Sequence, residues 1–203
     1  MFAFRPDRGS ARFLLPLALA LVLSGCGFLK GPPPETFDLS APESIPGSKG
    51  ATAAQILIPE PSALKALDSE RIVVTTGAKI SYYPDAQWPD RLPRLFQAKA
   101  VQAFEQSKRA RAVGRPGEGL SIDFQLVIDI RAFEYVSNGD TGFARVEISA
   151  KILNDRNGRI VSTKILTAEA PVTQDSAAGV VAGVDAALNE VLVELVSWTV
   201  GRI

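Results

Sequence analysis

The stretch LSIDFQLVIDIRA, Leu120–Ala132, decides the fold class. Leu120, Ile122, Phe124, Leu126, Ile128, Ile130 and Ala132 are apolar at every even position, while Ser121, Asp123, Gln125, Asp129 and Arg131 are polar at odd ones. A period of two is that of an extended strand with one buried and one wet face. The phase slips at Phe133 and Tyr135, where apolar residues become odd, and one extra residue in a β-bulge near Ala132 would cause such a slip. Asn138-Gly139-Asp140 reads as a turn. Ala144, Val146, Ile148, Ala150 and Ile152 then resume the alternation against Arg145, Glu147, Ser149 and Lys151. Asn157-Gly158 marks a second hairpin, and Arg159 to Ala170 returns as a third strand. These segments predict an antiparallel meander.

Helical spacing flanks the meander. Leu92, Leu95, Phe96, Ala100, Ala103 and Phe104 predict a helix over about 91–109, with Pro89 and Pro93 tolerated only near its start. Val180, Val181, Val184, Leu188, Val191, Leu192 and Leu195 predict a second over about 174–200. Its Gly179 and Gly183, four apart, fit either close packing on the sheet or a dimerisation groove. Asp185, Glu190 and Glu194 would be costly in a membrane span. Earlier in the chain, Phe37–Leu39, Gln55–Ile58, Arg71–Thr75 and Lys79–Tyr83 read as short strands, the last two joined at Gly77. Ser62 to Leu67 is compatible with one helical turn. The expected fold is a single α/β domain, a mixed, largely antiparallel sheet with two principal helices packed on it.

The N-terminus has a different character. Arg5, Arg8 and Arg12 precede Phe13–Leu23, eleven residues without a charge. A basic region followed by a short apolar one has the layout of a secretory signal, and eleven residues fall short of the roughly 20 that span a bilayer. Leu23-Ser24-Gly25-Cys26 resembles the bacterial lipobox, which implies cleavage before Cys26 and acylation of that cysteine. Two or three acyl chains anchor firmly, at about 0.8 kcal/mol per buried methylene. The expected organisation is a leader over 1–25, a lipidated cysteine with a Pro-rich tether over 26–35, and the α/β domain over 36–203. Gly27 to Glu35, with three consecutive prolines, favours extended polyproline II and reaches about 28 Å. Residue 27 is Gly; in lipoproteins of enteric type an Asp there retains the protein at the inner membrane. Its absence points to the periplasmic face of the outer membrane.

Composition narrows the function classes. After the leader, 178 residues remain, with 19 basic and 21 acidic side chains. A net charge of −2 gives no basic field for nucleic acid. The chain has no histidine and one cysteine, which removes Ser-His-Asp and Cys-His nucleophiles, histidine-ligated metals and multi-cysteine zinc sites. Gly114, Gly117 and Gly119 lie in a Pro-containing turn without a Gly-Lys-Ser/Thr sequence, so no phosphate loop is read. No enzyme, cofactor or metal site is expected. Tyr82, Tyr83 and Trp88 cluster beside a loop. Aromatics with a polar tip suit interfaces, and they equally suit capping a core where helix meets sheet. The polar face carrying Asp129 and Arg131 is either solvent-facing or a surface for a partner.

Ile80-Ser81-Tyr82-Tyr83 followed by Trp88, Pro89 and Leu92–Phe96 resembles the ABC-type transport auxiliary lipoprotein family, the PqiC-like components. So do Phe133-Glu134 in the meander, Leu153–Gly158, and the closing helix ending in Trp198. The Gly-rich connection at 114–119 is a departure. The resemblance implies a lipid-anchored periplasmic component without enzymatic activity. Its partners would be an MCE-domain protein with an ABC permease and ATPase, and it could form a homo-oligomeric ring. Such systems move phospholipid or other apolar molecules between the inner and outer membranes. The alternative is a structural envelope lipoprotein or outer-membrane assembly factor that does not handle lipid. The leader reading is checked by mass spectrometry of the membrane-extracted protein: the N-terminal residue is expected to be acylated Cys26, and Cys26→Ala to remain unprocessed.

Overall fold

The computed structural model describes residues 32–46, 50–139 and 141–203. The expected leader, Leu23, Ser24, Gly25, Cys26 and the start of the tether lie outside the described residues. Pro34–Ile203 is one compact unit. Its elements are β1 (Glu35–Thr36), β2 (Thr52–Leu57), β3 (Ser62–Ala63), β4 (Arg71–Thr76), β5 (Lys79–Gln87), α1 (Leu92–Ser107), β6 (Ala110–Gly114), β7 (Phe124–Ser137), β8 (Gly142–Asn154), β9 (Ile160–Val172) and α2 (Ala177–Val200). The strands form one mixed nine-stranded sheet, and with the two helices they make the expected α/β domain.

β7 organises the sheet. One edge pairs antiparallel with β8 over its full length, from Phe124↔Asn154 to Ser137↔Gly142. The other edge is shared by three short parallel strands: β2 at Phe124 and Gln125, β3 at Asp129 and Ile130, and β4 at Glu134 to Val136. β6 lies parallel outside β2, β5 antiparallel outside β4, and β1 parallel on β5. β9 continues the meander antiparallel to β8.

The bulge falls where the alternation slips. The β7–β8 register shifts between Ile130 and Ala132, leaving Arg131 as the extra residue. Leu126, Ile128 and Ile130 before it, and Phe133 and Tyr135 after it, are therefore all buried. Buried Ala144, Val146, Ile148, Ala150 and Ile152 of β8, with Leu166 and Ala168 of β9, extend that layer under α2. Gly183 sits in the contact: a Cβ there would lie 2.8 Å from Val172 Cγ2 and 3.3 Å from Ala144 Cβ. At Gly179 it would lie 2.3 Å from the Gln174 carbonyl oxygen. Gly183 therefore permits close packing of α2 on the sheet, the first of the two expected readings, while Gly179 clears the turn that opens the helix. α2 opens with the Ser176 hydroxyl accepting from the Gly179 N–H at 3.1 Å, an N-cap that supplies one of the orphan donors. In α1, Pro93 stands in the first turn, and buried Gln97 donates to the Ile58 carbonyl at 2.8 Å.

Four local expectations are corrected. The first strand is Glu35–Thr36, not Phe37–Leu39: Phe37 still donates to the Gln87 carbonyl, but the chain then leaves the sheet. Ser40 N–H donates to Asp185 of α2 at 2.6 Å, Lys99 of α1 pairs with Asp38 at 3.0 Å, and Arg109 donates to the Ile45 carbonyl at 2.7 Å. Leu39 and Ile45 are buried in this strap, which ties together groups from α1, α2 and the start of β6. Second, Ser62–Ala63 is a strand, held by the Ser62 hydroxyl donating to Asp129. Third, the helix expected to about 109 ends at Ser107, and Ala110–Gly114 behind it is a parallel edge strand. Fourth, β7 starts at Phe124, because Asp123 is occupied as a latch. Its carboxylate accepts from the Gln55 N–H at 3.0 Å and from Arg156 at 3.0 Å, while its backbone exchanges bonds with Gln55 and Asp155.

The Gln55 N–H hydrogen bond, aided by Arg156, holds the Asp123 carboxyl below its ordinary range, against a smaller desolvation effect. A lowered carboxyl pKa contributes stability above the unfolded-state value and loses it as pH falls through the folded value. Asp123→Asn is therefore expected to lower the urea midpoint at neutral pH, with the gap to the unmodified protein closing as the solution is acidified.

Candidate docking face

Among the described residues one sheet face is left uncovered by the helices, and the cross-strand register identifies its residues, because directly opposed residues project to the same side. One row runs across five strands: Tyr82 of β5, Val73 of β4, Glu134 of β7, Arg145 of β8 and Glu169 of β9. The guanidinium carbon of Arg71 lies 3.4 Å from the Tyr82 ring centroid, a cation–π stack. Arg145 donates through Nε to Glu134 Oε1 at 3.0 Å and through a second nitrogen to the same oxygen. In this row Glu134 is only 8% exposed, and Val73 is buried with the core.

A second row lies across the bulge. The Ser62 hydroxyl donates to Asp129 at 2.8 Å, Asp129 opposes Ser149, and Ser149 opposes Ile165. The bulged Arg131 reaches back to Asp129 at 3.7 Å. Glu147 and Lys151 stand on either side along β8, and Val127 of β7 and Ile165 of β9 are exposed apolar residues on the same face. Charges of both signs therefore interleave with one aromatic and single exposed apolar side chains. That composition suits recognition of another polar surface more than a single-sign ligand. Among the described residues no cluster of acids with cysteine or histidine has the geometry to hold a metal ion.

The structure divides the five sequence-derived candidates. Tyr82, Asp129 and Arg131 lie on the uncovered face. Trp88 is removed from the candidate surface: it is 1% exposed and packs edge-on to Phe133, with centroids 6.0 Å apart and planes at 81°. Tyr83 alternates to the helix side, where its hydroxyl donates to Asp175 at 3.3 Å ahead of α2. Its pKa is raised, first by burial, which disfavours the phenolate, and then by the neighbouring Asp175 charge. Arg71, Glu134 and Arg145 are additions. The phase slip after Ile130 was the signal for Glu134 and Arg145, since it turns Glu134 to the side of the polar positions of β8; no local signal marked Arg71.

Two open clefts lie along the outer face of α1, about 410 and 490 Å³, and share Ala98 and Arg115. The Gly-rich turn forms one wall, and Gly117 and Gly119 take positive φ there, at 92° and 72°. Their linings mix Arg94 and Arg115 with Asp90, Glu105 and Glu118.

Comparison with known proteins agrees with this architecture. A protein-family model described as ABC-type transport auxiliary lipoprotein component matches residues 37–196. An uncharacterized protein of Bradyrhizobium diazoefficiens is 34% identical over 167 residues, 81% of this chain; the chain spans 44% of that relative's length. The crystal structure of protein XCC0632 from Xanthomonas campestris superposes with a TM-score of 0.76 at 28% identity, covering 83% of this chain and 96% of that one. A hypothetical protein of Chlamydia trachomatis, 9% identical, shares the fold at a TM-score of 0.55, over 74% of this chain and 98% of its own.

The Glu134–Arg145 pair can be tested for its structural share of this face. Arg145→Met leaves a largely buried carboxylate without its cation. It is expected to cost about 1–3 kcal/mol in urea denaturation, below the fully buried case because Arg145 is partly solvated. The double variant Glu134→Leu with Arg145→Met is expected to recover most of that loss.

Proposed function

The chain belongs to the family of ABC-type transport auxiliary lipoprotein components, and from that premise we propose that it docks, lipid-anchored in the periplasm, to the MCE-domain protein of an ABC transport system. That system, with its permease and ATPase, moves phospholipid or other apolar molecules between the inner and outer membranes. The chain binds its partner and catalyses nothing. Its anchor is the acylated Cys26, at the periplasmic face of the outer membrane. The observation that supports docking is the uncovered sheet face, where Tyr82, Arg71, Asp129, Arg131, Glu134 and Arg145 are held in fixed register.

Carrying cargo alone would require apolar surface left over from folding. Here the apolar residues of α1, α2 and the sheet's inner face belong to one continuous core. The Pro-rich tether sets the reach from the membrane, and the strap beginning at Asp38 joins that tether to both helices. Among the described residues no helix is long and apolar enough to cross a membrane, which leaves attachment to the lipid on Cys26 in this reading. Assembly into a ring would present several docking faces to one partner and raise avidity.

The test is a pull-down from membranes with tagged full-length protein, read by mass spectrometry, beside Cys26→Ala and the charge-reversed pair Asp129→Arg with Arg131→Glu. Recovery of an MCE-domain protein that falls about tenfold with the reversed pair, equivalent to 1.4 kcal/mol, is the expected result. Loss with Cys26→Ala shows that anchoring is required. Recovery unchanged by the reversed pair removes the docking face. Recovery of outer-membrane assembly proteins alone supports the structural lipoprotein.

A further inference from the structure

The outer edge of β9 is the longest sheet margin without a strand partner among the described residues. The other margins are shorter: β6 has five residues, β1 has two, and β5 is uncovered only over Lys79–Asp85, ahead of its pairing with β1. A strand edge carries a row of unpaired N–H and C=O groups and pairs with another strand unless it is blunted. The usual blunting device would be a lysine projecting over the edge. Lys164 does not serve, because its ammonium is bound to Glu194 of α2. Two features do bound the edge: the register shift that leaves Val161 bulged between Ile160 and Ser162, and Pro171, which has no N–H. Between them Ser162–Ala170 pairs with β8 in an unbroken ladder. Of the large hydrophobic side chains exposed among the described residues, Ile160, Val161 and Ile165 all belong to β9, with Ile165 53% exposed.

We propose that a second copy of this chain covers this edge, with the two β9 strands pairing antiparallel about a two-fold axis at Leu166. The second copy is the chosen occupant because the edge is complementary to itself. The axis at Leu166 is the centre of the unbroken stretch, so it gives the longest ladder free of bulge and proline. In that register Ile165 opposes Thr167 of the other copy, Thr163 opposes Glu169, and Lys164 opposes Ala168. No like charges meet, and the β-branched pairs lie on the same face. Opposed residues keep their face, so the two helix layers stand on one side of a continuous sheet and the two uncovered faces join on the other. Such a contact is isologous and closes a dimer; it is separate from any ring, which needs a heterologous contact. The inference does not rest on the transport reading.

The test uses the full-length protein purified in detergent. Light scattering at tens of micromolar is expected to give a dimer. The double variant Ile165→Cys with Thr167→Cys is expected to become a disulfide-linked dimer on mild oxidation, since each cysteine faces the other across the joint. Ile165→Lys replaces an exposed side chain, so circular dichroism should be unchanged while the dimer dissociation constant rises about tenfold or more. A monomer at that concentration overturns the proposal. So does an assembly that persists in Ile165→Lys and that the paired cysteines fail to link.

Discussion

The second edge of β7 is the constraint on which the rest of the structure depends. A fourteen-residue strand in the middle of a sheet presents backbone donors and acceptors on both sides, and buried ones must be paired. β8 satisfies one side by simple reversal. The other side is satisfied in three instalments, by β2, β3 and β4, all parallel to β7 and none longer than six residues. Parallel partners cannot be joined by tight turns and need crossovers. α1 is part of the connection that brings the chain back, and the Asp123 latch sets where β2 and β7 begin to run together.

The bulge at Arg131 has consequences on both faces. On the helix side it brings Phe133 and Tyr135 into the layer begun by Leu126, so Phe133 receives the edge of Trp88. On the other side it turns Glu134 outward to Arg145 and leaves Arg131 beside Asp129. One inserted residue thereby shapes the core and the candidate docking face together. A partner reading that face would meet a surface held by the backbone ladder, which limits the entropy lost on binding.

The strap fixes how the chain enters the folded domain. Segment 38–46 bonds to α1 and α2, and its buried Leu39, Ala41 and Ile45 make it part of the folded unit. Here the chain enters through β1 and is then fastened to both helices.

What the sequence determined by itself was everything carried by a local period or a local motif. The meander from Phe124 to Val172, the bulge, both helices and the lipobox resemblance at Cys26 each rest on residues a few positions apart. Alternation and helical spacing report which side of an element meets apolar neighbours whatever those neighbours are. Tertiary structure alone decided the partners. Ala110–Gly114 and Ser62–Ala63 are strands only because a free edge stands beside them, and Phe37–Leu39 leaves the sheet because α1 and α2 offer Lys99 and Asp185. Tyr82, Tyr83 and Trp88 read alike in the sequence. They part company because alternation, the irregular end of β5 and the packing of Phe133 send one to the uncovered face, one to Asp175 and one to the core. Short parallel pairing is non-local, and its energy comes from groups distant in the chain, so no window of sequence contains it.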